Sequence, residues 1–234
     1  VNKQGSNKAR VNGSPVKSSE LPRYAQVVLF APEDLQIVRG DPSARRRFAD
    51  QLLVQRFPRM ASVLGDYDRV LRQRNALLKS AKARGIKGDA LSTLEVWDDK
   101  LVDLGVQVIR ARVNLAEELS DPVARAYTQI AGADHQPRLE WALSVLGSDP
   151  EEEAVTSATV DAESTESLFR AALASRRAAE LERGITLVGP HRDDLLLSVR
   201  GLPVKGYASH GESWSVALSL RLASAQLLRA ESRL

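Results

Sequence analysis

The sequence of 234 residues has no cysteine and only three histidines, His135, His191 and His210. The lack of cysteine excludes disulfides and thiolate metal sites, and histidines so scattered offer no metal-ligand cluster. No apolar run approaches the roughly 20 residues that a membrane-spanning helix needs, and residues 1–15 are too polar for a signal peptide. We therefore expect a soluble protein without a membrane partner, and a reducing, cytoplasmic setting is compatible with this composition.

Charge is nearly balanced over the whole chain but not along it. The net charge is +3, yet residues 1–60 hold 11 basic and 5 acidic residues, whereas residues 121–180 hold 5 basic and 11 acidic ones. A phosphate-bearing partner such as DNA would meet the basic part. The alternative for the run Arg45-Arg46-Arg47 is the solvated face of a helix, which is the common use of such runs.

Apolar residues at helical spacing predict two long helices, one over residues 59–83 and a returning one over residues 92–119. A short polar loop separates them, so the two form an antiparallel hairpin. The pair Asp41-Pro42 has the cap and first-position proline that begin a helix, and Asp121-Pro122 repeats this signal. Further helices are therefore predicted at 43–57, 121–132, 167–183 and 212–234.

The remaining apolar runs are short and β-prone. They predict strands at 26–30, 138–146, 185–188 and 195–199. Asn12-Gly13 predicts a type I′ turn inside a β meander near the start. Residues 147–165 are acidic, carry little apolar material and predict a flexible linker. The fold class that follows is α/β with a mainly helical second lobe.

Both ends of the sequence indicate an internal fragment. There is no initiator methionine, and the predicted last helix runs to Leu234 without a glycine, asparagine or proline stop. We expect further segments on both sides.

Two motifs of ATP hydrolysis are lacking. A P-loop needs Gly-Lys-Ser/Thr after its glycine-rich turn, but the glycine-spaced stretch 201–206 continues with Tyr207-Ala208. The apolar run 195–197 is followed by Ser198 rather than by the acidic pair that would hold Mg²⁺ and position water. We therefore expect no ATP hydrolysis by this chain alone.

Six motifs stand in a fixed order along the chain, at residues 29–35, 38–48, 72–79, 94–98, 188–195 and 207–212. Together they resemble the RecF recombination-mediator family, a group of DNA-repair ATPases. The resemblance covers almost the whole chain, but two parts of the family pattern are absent: the N-terminal P-loop segment and the C-terminal Walker B strand.

This resemblance implies a partial ABC-type ATPase head with a helical second lobe. It implies ATP and Mg²⁺ as cofactors of the complete protein and an ATP-dependent homodimer. It also implies that the chain binds single-stranded and double-stranded DNA and acts with recombination mediator proteins. The segment Ser209-His210-Gly211-Glu212 corresponds to the ABC signature, which contacts the γ-phosphate held by the other subunit. Ser209 would supply a hydroxyl, and Gly211 would let the backbone approach.

The signature segment has a second interpretation. Ser209 and Glu212 fit S-x-x-E, a capping box that begins many helices and needs no ligand. The two interpretations are compatible. Glu212 stands where ABC signatures often have glutamine, and a carboxylate that faced a triphosphate would repel it. We therefore assign Glu212 to the cap and Ser209, His210 and Gly211 to ATP contact in trans.

Other candidate residues carry two interpretations each. His191 and Arg192 either approach nucleotide or DNA, or belong to a salt-bridged turn with Asp193 and Asp194. The aromatic residues Tyr67, Trp97 and Trp214 lie at core spacing and are predicted to pack rather than stack on bases. The DNA-contact candidates are Arg39, Arg45, Arg46 and Arg47.

The predicted organisation has four parts. Residues 1–40 and 167–234 belong to the ATPase head, residues 41–135 form the helical arms, and residues 136–166 form a strand and the acidic linker. The function implied is ATP-dependent DNA binding in recombinational repair and replication restart. The alternative is a non-enzymatic helical module that docks a partner protein.

Overall fold

A computed structural model describes residues 8–24, 27–85, 92–147 and 162–231. The chain begins with a small hairpin of strands β1 (Ala9–Val11) and β2 (Ser14–Val16). Asn12 and Gly13 join the strands with φ angles of 49° and 84°. Positive φ at both central positions is what a type I′ turn requires, so this prediction is confirmed.

Helices dominate the rest of the described chain. A 3₁₀ turn at Pro32–Asp34 leads into α1 (Leu35–Arg39). Strand β3 (Arg138–Ala142) pairs antiparallel with β4 (Asp194–Val199), which pairs with β5 (Leu202–Pro203). The longer helices are α2 (Pro42–Arg56), α3 (Met60–Ala83), α4 (Ser92–Ala131), α5 (Ala162–Arg183) and α7 (His210–Glu231), with a short turn α6 (Val204–Tyr207) before the last.

The two long helices α3 and α4 pack antiparallel, as the apolar spacing predicts. Leu78 packs with Leu94, and Arg74 bonds Asp98. Residues that come later in α3 therefore contact residues that come earlier in α4. One hydrophobic core extends from Ile37 of α1 to Leu228 of α7 and includes the inner face of the sheet. Helix α7 is thus fixed to α4 and α1 by apolar packing.

The predicted helix break at Asp121-Pro122 is wrong, because α4 continues through Pro122 for 40 residues in all. Proline removes one backbone hydrogen bond and costs roughly 3 kcal/mol inside a helix. The apolar stripe on both sides is buried, however, and each such side chain contributes about 1.5–3 kcal/mol. Burial of the stripe therefore outweighs the proline. The stripe comprises Leu115, Ala116, Leu119, Val123 and Tyr127.

Two predicted strands are also wrong. Of the run 26–30, residues 27–30 lie in no strand, and Val27 and Leu29 are 67% and 70% exposed. Residues 185–188 form a loop, because the Thr186 amide donates to Asn75 Oδ1 and the Leu187 amide to Glu180 Oε1. Side chains here take the hydrogen bonds that a neighbouring strand would have supplied.

Several predictions hold with shifted boundaries. Helix α5 begins at Ala162 rather than 167, β3 ends at Ala142, and α7 begins at His210 rather than 212. Most of the predicted linker, residues 148–161, lies outside the described residues, as do residues 86–91 between the arms. None of the helices in the described ranges has the length and apolar character that a bilayer crossing requires.

Candidate functional site

The segment 209–212 begins helix α7 with a complete capping box. The Ser209 amide donates to Glu212 Oε2 at 2.8 Å, and the Glu212 amide donates to Ser209 Oγ at 3.2 Å. These two bonds satisfy backbone donors that a helix start leaves free. The capping interpretation is therefore confirmed, and the assignment of Glu212 to the cap agrees with it.

The same segment is open to solvent. Ser209, His210 and Gly211 are exposed, and a Cβ added to Gly211 would meet no atom within 4 Å. Helix α7 has 22 residues, so the positive end of its dipole lies at this surface. A hydroxyl, an imidazole and an unobstructed backbone are thus displayed together at a helix N-terminus. Such a surface suits an anion.

Arg200 holds the Glu212 carboxylate in place, and His135 lies beside it. Arg200 Nη2 donates to Glu212 Oε1, and His135 Nδ1 lies 3.9 Å from the same oxygen. The bonds from Ser209, followed by the charges of Arg200 and His135, lower the pKa of Glu212. The carboxylate is therefore ionised and turned back toward the cap.

The first two motif stretches, residues 29–35 and 38–48, form the early motif, which packs against the start of α7. Arg39 Nε donates to Ser213 Oγ at 3.1 Å, and Ser213 Oγ in turn donates to the Ser209 carbonyl at 2.8 Å. Phe30 meets Trp214 edge to face at 5.5 Å between ring centroids. Stretches separated by more than 170 residues thus form one surface, which explains why both occur in a single pattern.

Trp214 packs against Phe30 and also makes a polar contact that the sequence did not predict. Its indole Nε1 donates to His210 Nε2 at 2.7 Å, one helical turn back along α7. Tyr67 likewise combines packing with a polar contact, since its hydroxyl lies 2.8 Å from His191 Nδ1. Trp97 is half-buried on α4.

The second candidate motif, residues 189–194, lies in a tightly bonded loop. His191 Nε2 lies 3.2 Å from the Thr186 carbonyl oxygen, and Arg192 donates to that oxygen from Nε and Nη2. Burial lowers the pKa of His191 to about 4, so the ring is neutral. Within the described residues, no hydrogen bond or ion pair joins His191 or Arg192 to the segment 209–212. These contacts hold the turn in place, but in the described part of the chain neither His191 nor Arg192 forms an ion pair with Asp193 or Asp194, and Asp194 pairs with Arg45 instead. Of this turn only Arg192 is exposed.

Within this loop, Asp193 is completely buried. Its Oδ1 accepts bonds from the Ser144 amide and hydroxyl, both at 2.8 Å, while Oδ2 has no hydrogen-bond partner. Burial raises the pKa of Asp193 to about 6 against the bonds from Ser144 and the charges of Arg112 and Arg46. Ionisation of this buried carboxylate therefore costs free energy.

The four arginines predicted to contact DNA differ in exposure. Arg45 is 5% exposed and forms two bonds to Asp194 at 2.6 and 2.8 Å. Arg46 donates to the Asp193 carbonyl at 2.7 Å. Arg39 and Arg47 are exposed. A phosphate contact by Arg45 would require its ion pair to open, so Arg39 and Arg47 are the more accessible of the set.

Sequence reasoning missed the role of Arg74. This side chain is fully buried and donates to Asp98 Oδ1, Thr186 Oγ1 and Glu180 Oε2 at 2.6–2.8 Å. Burial alone would lower the pKa of Arg74, but Glu180 and then Asp98 raise it. The signal that could have revealed this buried ion pair is an arginine at helical spacing from the apolar residues Val70 and Leu78.

Comparison with known proteins yields one consistent group. The chain is 56% identical over 241 residues to the DNA replication and repair protein RecF of Clavibacter sepedonicus, and 54% identical over 235 residues to that of Leifsonia xyli subsp. xyli. These alignments cover 100% and 99% of the chain but 59% and 61% of the relatives. The chain thus spans about three fifths of their length. No protein-family model matches it.

Solved structures agree with these relatives. The chain superposes on the recombination mediator protein RecF-ATPrS of the RecFOR pathway with a TM-score of 0.83 and 26% identity, over 99% of this chain and 59% of that one. The RecF-ATP structure of the same pathway gives a TM-score of 0.82 and 27% identity, over 97% and 58%.

Proposed function

Because the chain belongs to the RecF family of DNA replication and repair proteins, we propose that it serves recombinational DNA repair and replication restart in the cytoplasm. In this proposal it forms the signature-bearing part of an ATP-dependent DNA-binding protein. The observation that carries the proposal is the exposed segment Ser209-His210-Gly211 at the N-terminus of α7, held by its own cap and by the early motif.

The proposed contact with ATP lies between two subunits. Ser209 keeps an exposed hydroxyl even though its oxygen accepts the Glu212 amide, since the O–H remains free to donate. Gly211 leaves room for a phosphate oxygen near the backbone. Glu212 is held by Arg200, which keeps its charge from opposing the phosphate. ATP then acts as a switch that closes a homodimer.

Mg²⁺ would accompany ATP in the complete protein. Among the described residues there is no cluster of His, Asp or Glu that could hold a metal ion. The contribution that we propose for this chain is therefore directed at the phosphate group rather than at the metal.

DNA would be held by contacts to its backbone, because the sequence offers no base-reading motif. We propose the exposed residues Arg39, Arg47 and Arg192 as first contacts, and Arg46 as a residue that fixes the loop beside them. Binding of this kind weakens strongly as salt rises. The mediator proteins of the RecFOR pathway are the proposed protein partners.

The absence of cysteine allows a clean test of the ATP contact. A single Asp68→Cys substitution on the exposed side of α3 carries a fluorophore, and the labelled chain is titrated with RecF of Clavibacter sepedonicus, which supplies the ATP-binding half. We expect association with ATP and little without it. Ser209→Arg should weaken the ATP-dependent association at least about tenfold, because a bulky side chain fills the space for the phosphate. DNA binding by the mixture, measured by gel shift, should follow the same order.

Ser62→Arg is the matched control, since Ser62 is an exposed serine on α3. It adds the same charge and should leave the titration unchanged. If neither association nor DNA binding depends on ATP, and Ser209→Arg changes neither of them, the proposal is overturned. That result would favour the helical docking module.

A further inference from the structure

The contact between Trp214 and His210 determines where the imidazole carries its proton. An indole N–H can only donate, so His210 Nε2, at 2.7 Å from Trp214 Nε1, must be the acceptor. In the neutral ring the proton therefore lies on Nδ1. Among the described residues Nδ1 has no hydrogen-bond partner, and His210 is exposed.

The indole is itself held in position. Phe30 meets it edge to face at 5.5 Å, and the His210 ring lies at 6.1 Å with an interplanar angle of 69°. Phe30 belongs to the segment whose Arg39 reaches Ser213. The early motif thus fixes Trp214, and Trp214 fixes His210.

His191 provides a contrast within the same chain. Its Nε2 faces the Thr186 carbonyl oxygen, which can only accept, and its Nδ1 faces the Tyr67 hydroxyl. The neutral His191 ring therefore carries its proton on Nε2. Two histidines of one chain are held in opposite tautomers by neighbours of opposite hydrogen-bonding character.

We infer that Trp214 is a positioning residue of the signature segment: it holds neutral His210 with the proton on Nδ1, so that the segment presents a donor to a phosphate oxygen. This inference rests on the proposed function. An unprotonated nitrogen at that place would face the oxygen with a lone pair. One added hydrogen bond is worth about a three- to tenfold change in affinity.

The tautomer is measurable directly, because the chain has only three histidines. ¹⁵N–¹H correlation spectra of the imidazoles at about pH 8, above the usual pKa of histidine, distinguish the two nitrogens of each ring. We expect an Nδ1–H pattern for His210 and an Nε2–H pattern for His191, which serves as the internal standard. Trp214→Phe keeps the aromatic contact with Phe30 but removes the N–H, and His210 should lose its preference for Nδ1–H. Trp97→Phe is the control and should change neither ring.

An Nε2–H pattern for His210 in the unmodified chain would overturn the inference, as would a His210 pattern that Trp214→Phe leaves unchanged. The titration with labelled chain and ATP supplies the functional test. Trp214→Phe should weaken ATP-dependent association about three- to tenfold, and Trp97→Phe should not. Equal association of both variants, while ATP still drives that of the unmodified chain, refutes the positioning role alone. If ATP drives no association of the unmodified chain, the proposed function fails, and with it the phosphate contact of His210.

Discussion

The signature segment 209–212 and the loop 186–194 are built from similar residue types, but the polar groups of the first are exposed and those of the second are bonded within the fold. Each has a histidine, a glycine, at least one acidic side chain and a hydroxyl group. In the signature segment the hydroxyl, imidazole and glycine are exposed. In the loop, the polar groups of Thr186, His191 and Asp193 are bonded to other parts of the chain.

This difference shows that a motif does not by itself tell whether its side chains are available to a ligand. Whether a side chain is available to a ligand depends on its burial and on the hydrogen bonds that it already makes within the fold. The loop is bonded to α3 through Arg74 and Asn75 and to α5 through Glu180, so its polar residues stabilise the fold. The signature segment uses one carboxylate, Glu212, for its own cap and leaves Ser209, His210 and Gly211 exposed to solvent. Three sets of substitutions test this difference.

The largest effect is expected from Arg74→Met, which removes the central support of the loop. Asp98 and Glu180 would lose their buried cationic partner, and Thr186 would lose a donor. Breaking a buried ion pair from one side typically costs about 3–5 kcal/mol. We expect a fall of this size in the free energy of unfolding, measured by urea denaturation.

Arg72→Met is the matched control, because Arg72 lies on the exposed side of the same helix. Exposed substitutions of this kind usually change stability by less than about 0.5 kcal/mol. If both variants lose the same small amount, Arg74 is not the support that its contacts indicate.

The buried loop should also give the protein two opposing responses to acid. The pKa of Asp193 is about 6 in the fold against 3.8 for the free group, so its proton is held more tightly when the chain is folded. Its contribution to stability is therefore complete below pH 3.8 and is lost as pH rises through 6. His191 behaves oppositely: with a pKa of about 4 against 6.5, it contributes stability above pH 6.5 that is lost as pH falls through 4. Each shift corresponds to roughly 3 kcal/mol.

Two substitutions separate these responses. Asp193→Asn leaves only the histidine response, so this variant should lose stability more steeply than the unmodified chain between pH 6 and pH 4. His191→Gln leaves only the aspartate response, so that variant should gain stability over the same window. Urea denaturation at several pH values checks both, with exposed Asp68→Asn as control. Parallel pH profiles for all of these chains would contradict the assignment.

Much of the helical architecture follows from spacing along the sequence. The pairing of α3 with α4 could be predicted because apolar residues repeat at three and four positions over each helix. The continuity of α4 through Pro122 could not be predicted, because a local start signal such as Asp121-Pro122 says nothing about the apolar neighbours that bury both sides of it. The strand predicted at 185–188 failed for a similar reason, since Asn75 lies more than 100 residues away from Thr186.

The candidate site was found from the motif and corrected by contacts. The capping role of Glu212 could be predicted because both residues of the box lie within four positions. The link from Phe30 to Trp214 and His210 could not, because it joins distant parts of the chain. The predicted solvated face for the run Arg45-Arg46-Arg47 is likewise only partly correct, because Arg45 is buried against Asp194 whereas Arg47 is exposed.

The smallest effect expected is also the most direct test of the comparison, and it uses the two glycines. A Cβ at Gly189 would lie 2.6 Å from Tyr67 Oη and 2.9 Å from Phe169 Cζ, at a φ of +126° that side chains rarely adopt. Gly189→Ala should therefore cost about 2 kcal/mol in unfolding free energy. Gly211→Ala meets no atom within 4 Å and should leave stability unchanged or raise it by up to about 1 kcal/mol. In the ATP-dependent titration Gly211→Ala should associate more weakly than the unmodified chain. Its new methyl group occupies the space through which, in the proposed function, the phosphate reaches the backbone. A destabilised Gly211→Ala chain would show that this glycine serves the fold, as Gly189 does. A Gly211→Ala chain that associates as tightly as the unmodified chain would contradict the proposed approach of the phosphate to Gly211.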